Sequence, residues 1–111
     1  DLVGQNVMWD GANVGLIDFD DGGYGFRVFE LATFLLRYMD EPEYPELRAA
    51  LCEGYGVRAA IDPQELDLFL MLRAFTYPGW FMDRSDEPNT AARAARANAT
   101  ALKLAQAFME R

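Results

Sequence analysis

The spacing of apolar residues divides the chain into a short β-hairpin followed by several helices. Two apolar runs, 7–9 and 14–19, flank a polar segment at 10–13. That segment contains Asp-Gly, which favours a turn because both residues tolerate the backbone angles of a tight hairpin. From 27 to 39, apolar residues recur at steps of three and four, which predicts a helix buried on most of its sides.

Capping and helix-breaking residues set the limits of the later helices. A short helix is predicted at 46–55. Asp62 and Pro63 are typical of a helix start, because Asp accepts hydrogen bonds from the first N–H groups and Pro suits the first turn. We expect that helix to kink or break at Pro78, and a last, Ala-rich helix to span 90–109.

These elements predict an α+β fold that is mostly α: an N-terminal β-hairpin and then four or five helices, in a single domain at 1–111. The length of 111 residues and the 51% share of hydrophobic residues are enough for one core. Within the domain, 1–25 holds the hairpin and an acidic segment, and 26–111 is the helical part.

The composition excludes several classes of function. A net charge of −8 argues against nucleic-acid binding, which needs clustered Lys and Arg. Without histidine, the chain has neither a Ser-His-Asp system nor a His-ligated metal site. Its single cysteine forms no internal disulfide and fits a cytoplasmic protein. No apolar run reaches the ~18 residues that a membrane span needs.

Acidic residues are concentrated around the hairpin. Residues 1–45 hold nine acidic and two basic side chains. Asn6 precedes the first strand and Asp18 lies near the end of the second, so strand pairing brings them close together. Carboxylate and carboxamide oxygens are hard ligands that suit Mg²⁺, and a further carboxylate nearby can orient or deprotonate a hydroxyl nucleophile. The residues therefore predict a site for phosphoryl transfer.

Three motifs support this prediction. Asp1 is followed by Asn6 five positions later, as in a kinase catalytic loop. Residues 16–20, Leu-Ile-Asp-Phe-Asp, look like a metal-binding Asp segment, and residues 23–32 look like the stretch that follows it. In order and spacing, these motifs resemble the aminoglycoside phosphotransferase superfamily, which includes choline kinase and type II homoserine kinase. The resemblance implies the C-terminal lobe of a protein-kinase-like fold.

The resemblance also implies a role for individual residues. Asp1 would be the catalytic base toward a substrate hydroxyl, and Asn6 and Asp18 would bind the Mg²⁺ that bridges the phosphates of ATP. Asp20 would lie just outside them, near the metal or the phosphates. Glu30 would brace the catalytic loop.

The substrate implied by the resemblance is a small-molecule alcohol. The acidic segment favours a cationic acceptor such as an amino sugar or an amino alcohol. We place candidate acceptor-binding residues near Pro78, at Tyr77, Trp80 and Asp83.

The first residue is already the proposed base, so we expect a C-terminal lobe fragment whose partner is a missing N-terminal lobe. Such a fragment would be inactive by itself. The apolar side of the hairpin, with Val7, Trp9 and Ile17, would then be partly exposed and would favour self-association.

Other interpretations remain open. A calcium-binding module is one, because residues 18–23 look like the start of an EF-hand loop, but Phe29 stands where a bidentate Glu is required. A non-catalytic helical interaction domain is another, but it leaves Asp18 in an apolar strand unexplained. A degenerate kinase relative is disfavoured, because Asp1 and Asn6 are present together with Asp18.

Overall fold

The computed structural model describes residues 2–19, 22–57 and 59–111. The described residues form one two-stranded hairpin and four α-helices, which confirms the predicted α+β, mostly helical fold. In chain order the elements are a 3₁₀ turn at Gly4–Asn6, β1 (Val7–Trp9), β2 (Val14–Leu16), α1 (Arg27–Leu36), α2 (Tyr44–Tyr55), α3 (Pro63–Met82) and α4 (Thr90–Met109).

The hairpin turn is closed by the side chain of Asp10. Its Oδ1 accepts hydrogen bonds from the backbone N–H groups of Asn13, at 2.7 Å, and of Ala12, at 2.9 Å. These N–H groups stabilise the ionised carboxylate and lower the pKa of Asp10. Gly11 has a φ of 95°, a conformation that glycine adopts without steric cost. The turn predicted at 10–13 is confirmed.

The two strands pair antiparallel, with Val7 opposite Leu16 and Trp9 opposite Val14. The second strand is shorter than the predicted 14–19, because Asp18 takes a φ of 66° that no strand residue can have. Trp9 and Ile17 are 66% and 49% exposed. This agrees with the expected exposure of the apolar side of the hairpin.

The core lies between α1 and α3. Leu31, Ala32 and Leu35 of α1 pack against Leu66 and Leu70 of α3, and all five are buried. Their spacing of three or four places each set on one face of its helix. The helix α4 lies along α3 on another side. Ala101 of α4 is buried, and residues three, four or seven positions away from it are half-buried: Ala94, Ala97, Leu104 and Phe108.

The helix α3 begins as predicted but does not break where predicted. The Oδ1 of Asp62 accepts a hydrogen bond from the backbone N–H of Gln64 at 2.9 Å, which satisfies an N–H group of the first turn. The prediction that α3 breaks at Pro78 is wrong, since the helix continues to Met82. Proline removes one hydrogen bond but keeps a helical φ, and the buried Phe81 beyond it packs the last turn into the protein.

None of the helices in residues 2–19, 22–57 and 59–111 is both long and apolar enough to cross a membrane.

Candidate active site

The open end of the hairpin brings Asn6 and Asp18 together. The backbone N–H of Ile17 donates a hydrogen bond to the carbonyl oxygen of Asn6 at 3.0 Å. This bond extends the strand pairing one residue beyond Val7 and Leu16, so Asp18 follows directly after the residue that pairs with Asn6. The side chain of Asn6 is only 7% exposed. The proximity inferred from the hairpin pattern is therefore present.

Asp18 has a left-handed backbone conformation. Its φ of 66° is uncommon for any residue other than glycine, although Asp and Asn adopt it more readily than most. The conformation ends β2 and turns the chain, and the carbonyl of Phe19 then accepts a hydrogen bond from the N–H of Gly22 at 2.9 Å. A strained residue of this kind is often found at a functional site.

Glu30 connects α1 to the start of the chain. It lies in the first turn of the helix, and its Oε2 accepts a hydrogen bond from the backbone N–H of Leu2 at 2.9 Å. Leu2 directly follows Asp1, the proposed base. The contact holds the segment that enters the 3₁₀ turn against α1.

Asn6, Asp18 and Glu30 line one small cavity of about 70 Å³. The space is about that of two water molecules in the liquid, at ~30 Å³ each. Its other lining residues are Leu2, Leu16, Ile17 and Phe19. We call this space the hairpin cavity.

The polar groups of the hairpin cavity fit a magnesium ion. They offer carboxylate and carboxamide oxygens, and Mg²⁺ is usually held by one or two carboxylates together with substrate phosphates and water. The described residues contain no group of three His, Cys, Asp or Glu side chains arranged for a metal. An all-protein cage is therefore not formed by those residues, whereas a site that shares its ion with phosphates needs fewer protein ligands.

Of the other predicted site residues, Tyr77, Trp80 and Asp83 do not line the hairpin cavity. Asp1 and Asp20 lie outside the described residues. Tyr77 and Trp80 line a separate groove between α1, α3 and α4. Asp83 is exposed at the C-terminal end of α3 and does not line that groove.

The groove also contains residues that the sequence analysis did not identify. Arg37, Arg73 and Arg93 line it together with Tyr77 and Trp80. On α3, a signal was available, because Arg73, Tyr77 and Trp80 are spaced by four and three and so share a face. Arg37 and Arg93 are contributed by other parts of the chain, and no spacing in the sequence links them to α3.

A comparison with protein families gives one match within the chain. The model of a phosphotransferase enzyme family matches residues 1–69. This span includes the hairpin, α1, α2 and the first residues of α3, and therefore every residue that lines the hairpin cavity. No curated protein and no solved structure matches the chain.

Proposed function

This chain belongs to the phosphotransferase enzyme family, the family that its motifs resemble, and we propose that it transfers the γ-phosphate of ATP to a hydroxyl group of a small molecule. One observation carries the proposal: Asn6 and Asp18, the residues with the spacing of metal ligands, line the same cavity. Two hard oxygen donors at one end of a hairpin are one of the parts that metal-assisted phosphoryl transfer needs from the protein, the ligands of its metal ion.

Asn6 and Asp18 are the residues that would hold Mg²⁺. The ion, when bound, neutralises negative charge on the phosphates as the γ-phosphoryl group moves. Asn6 is nearly buried, and its backbone carbonyl accepts a hydrogen bond from the backbone N–H of Ile17. The backbone position of Asn6 is therefore fixed before any ligand binds. We assign Asp20, two residues after Asp18, to the layer just outside the metal or the phosphates.

Asp1 is proposed as the base that accepts the proton of the attacking hydroxyl group. A base of this kind acts only when it is held within hydrogen-bond reach of that proton. Glu30 contributes by fixing the next residue, because its carboxylate accepts the hydrogen bond from the N–H of Leu2. Glu30 is thus a positioning residue for the segment that carries Asp1.

The acceptor is proposed to be an amino sugar, an amino alcohol or a similar compound in the cytoplasm. The support is electrostatic: residues 1–45, which include the hairpin, hold nine acidic and two basic side chains. A negative surface raises the local concentration of a cationic substrate.

Turnover of ATP by the gene product that carries this chain tests the assignment. Asp18→Asn keeps the shape of the side chain and its tolerance of positive φ but removes the charge. We expect it to reduce kcat by at least about a hundredfold, the scale of losing one group that stabilises transition-state charge. Asp86→Asn, in an exposed loop, is the matched control and should leave kcat unchanged. Full activity of Asp18→Asn would reject the role of Asp18.

A further inference from the structure

The groove between α1, α3 and α4 lies apart from the hairpin cavity and shares no lining residue with it. It consists of two adjoining cavities of about 200 and 230 Å³. Four residues line both of them: Arg37, Tyr77, Phe81 and Arg93. Each cavity has the volume of roughly seven water molecules, at ~30 Å³ per molecule, which is enough for a small organic group.

The groove is positively charged in a chain that is strongly acidic. Arg37 at the end of α1, Arg73 of α3 and Arg93 of α4 all line it, and no Asp or Glu among the described residues does. These three belong to a set of only ten basic residues in a chain of net charge −8. Within the described part of the chain, Arg37 and Arg93 form no ion pair. The like charges of Arg37 and Arg93 repel each other, and an anion bound between them would offset that repulsion.

Aromatic rings hold two of the three guanidinium groups. The Cζ of Arg73 lies 5.0 Å from the ring centre of Phe29 and 4.9 Å from that of Tyr77. The Cζ of Arg93 lies 4.9 Å from the ring centre of Phe81. A guanidinium that stacks on a ring keeps its N–H donors in its own plane, where they bind a carboxylate or a phosphate in bidentate fashion.

Tyr77 lies in the wall of the groove. Its Oη is buried and has no hydrogen-bond partner among the described residues. Most buried hydroxyl groups in proteins have such a partner, so this one is an exception. Trp80 also lines the groove, while the guanidinium of Arg84 stacks on its ring with the Cζ 3.9 Å from the ring centre.

We propose that this groove binds a small molecule that carries an oxyanion, either a carboxylate or a phosphate, joined to an apolar portion. Arg37, Arg73 and Arg93 bind the oxyanion, and Trp80 and Phe81 contact the apolar portion. The site does not depend on the phosphotransferase role of the hairpin cavity. It also changes the expectation for Tyr77 and Trp80, because three guanidinium groups repel the cationic acceptor for which these residues were first considered.

Calorimetric titration of the gene product, without ATP or divalent cations, tests the proposal with three probes that share one ring. Phenyl phosphate and benzoate carry the two oxyanions, and benzylamine carries a positive charge. We expect at least one anion to bind and benzylamine not to bind. The anion with the lower dissociation constant shows whether the groove prefers a phosphate or a carboxylate. Binding of benzylamine as tight as that of both anions, or no binding of either anion, would overturn the proposal.

Two variants locate the binding in the groove. Arg93→Met and Arg37→Met should each raise the dissociation constant of the anion about tenfold or more. This is the scale of losing one charged hydrogen bond. Among the described residues, the guanidinium of Arg37 does not stack on an aromatic ring, so its variant gives a clear result even if Arg93→Met disturbs the packing of Phe81. The control is Arg96→Met, which removes the same charge from an exposed position of α4 outside the groove.

The pattern of losses decides the outcome. Weaker binding in Arg37→Met and Arg93→Met, with Arg96→Met like the wild type, supports the groove. Equal losses in all three variants would show a non-specific charge effect and would reject it. Asp18→Asn should bind the anion with the same affinity as the wild type. The test of the groove is therefore independent of whether the phosphotransferase assignment is correct.

Discussion

Asp18 combines an unusual backbone conformation with a carboxylate in the hairpin cavity. Its φ of 66° lies in the left-handed region, which costs an L-amino acid about 1–2 kcal/mol relative to the right-handed region. Asp reduces that cost because its short side chain hydrogen-bonds locally, and glycine avoids it altogether. The chain thus has a less favourable residue than glycine at the position that we propose as a metal ligand.

Substitutions at Asp18 separate conformation from chemistry. Asp18→Gly is expected to be about 1 kcal/mol more stable than Asp18→Ala, because only alanine meets the steric cost of a positive φ. Both variants lack the carboxylate and should be inactive. Urea unfolding gives the two stabilities, and ATP turnover gives the activity. Equal stabilities of the two variants would show that the positive φ is not maintained in solution.

The residues of the site differ in how far the sequence predicted them. The proximity of Asn6 and Asp18 follows from the hairpin pattern, because paired strands fix which residues are neighbours. The hydrogen bond between Glu30 and Leu2 spans 28 positions and depends on how α1 packs, so no local pattern contains it. The convergence of Arg37 and Arg93 depends in the same way on helix packing.

At the scale of secondary structure, capping residues predicted better than helix breakers. The cap at Asp62 is present, and α4 spans the predicted 90–109. The cap depends on local chemistry, since its hydrogen bond reaches only two residues along the chain. The predicted break at Pro78 is absent, because burial of Phe81 stabilises the last turn of α3. Packing between helices is not visible in the local sequence.

The cap of α3 gives a stability prediction. Asp62→Ala removes the hydrogen bond to the N–H of Gln64 and should lower the free energy of unfolding by about 1 kcal/mol. Asp62→Ser keeps a side-chain acceptor at the same position, so its free energy of unfolding should be close to that of the wild type. Urea unfolding of both variants measures the difference. A loss in Asp62→Ser as large as in Asp62→Ala would mean that the side-chain oxygen does not act as a cap.

At the scale of the whole molecule, one carboxylate joins three distant parts of the chain. Asp67 of α3 forms an ion pair with Arg48 of α2 at 2.6 Å and another with the C-terminal residue Arg111. Burial alone would raise the pKa of Asp67, but hydrogen bonds from Arg111 and Arg48 outweigh it and lower that pKa below its usual value. The folded state therefore favours the ionised form of Asp67.

The lowered pKa of Asp67 predicts how stability depends on pH. The contribution is fully present above the ordinary carboxyl pKa of about 4 and is lost as the pH falls through the lower pKa of the folded state. Asp67→Asn should therefore be less stable than the wild type at pH 7, and the difference should shrink below about pH 4. Urea unfolding from pH 7 to pH 3, with Asp86→Asn as control, measures it. A difference that is constant with pH would contradict the assignment.

The most direct test of the central claim, that Asn6 and Asp18 hold one divalent cation, is the binding of Mn²⁺. Manganese prefers the same oxygen ligands as magnesium, and its electron paramagnetic resonance signal reports the free ion. With ATP present, Asn6→Ala and Asp18→Asn should each raise the dissociation constant of Mn²⁺ about tenfold or more, the scale seen even for residues that only support metal ligands. Asp86→Asn should leave it unchanged. Wild-type affinity in both site variants would contradict the claim.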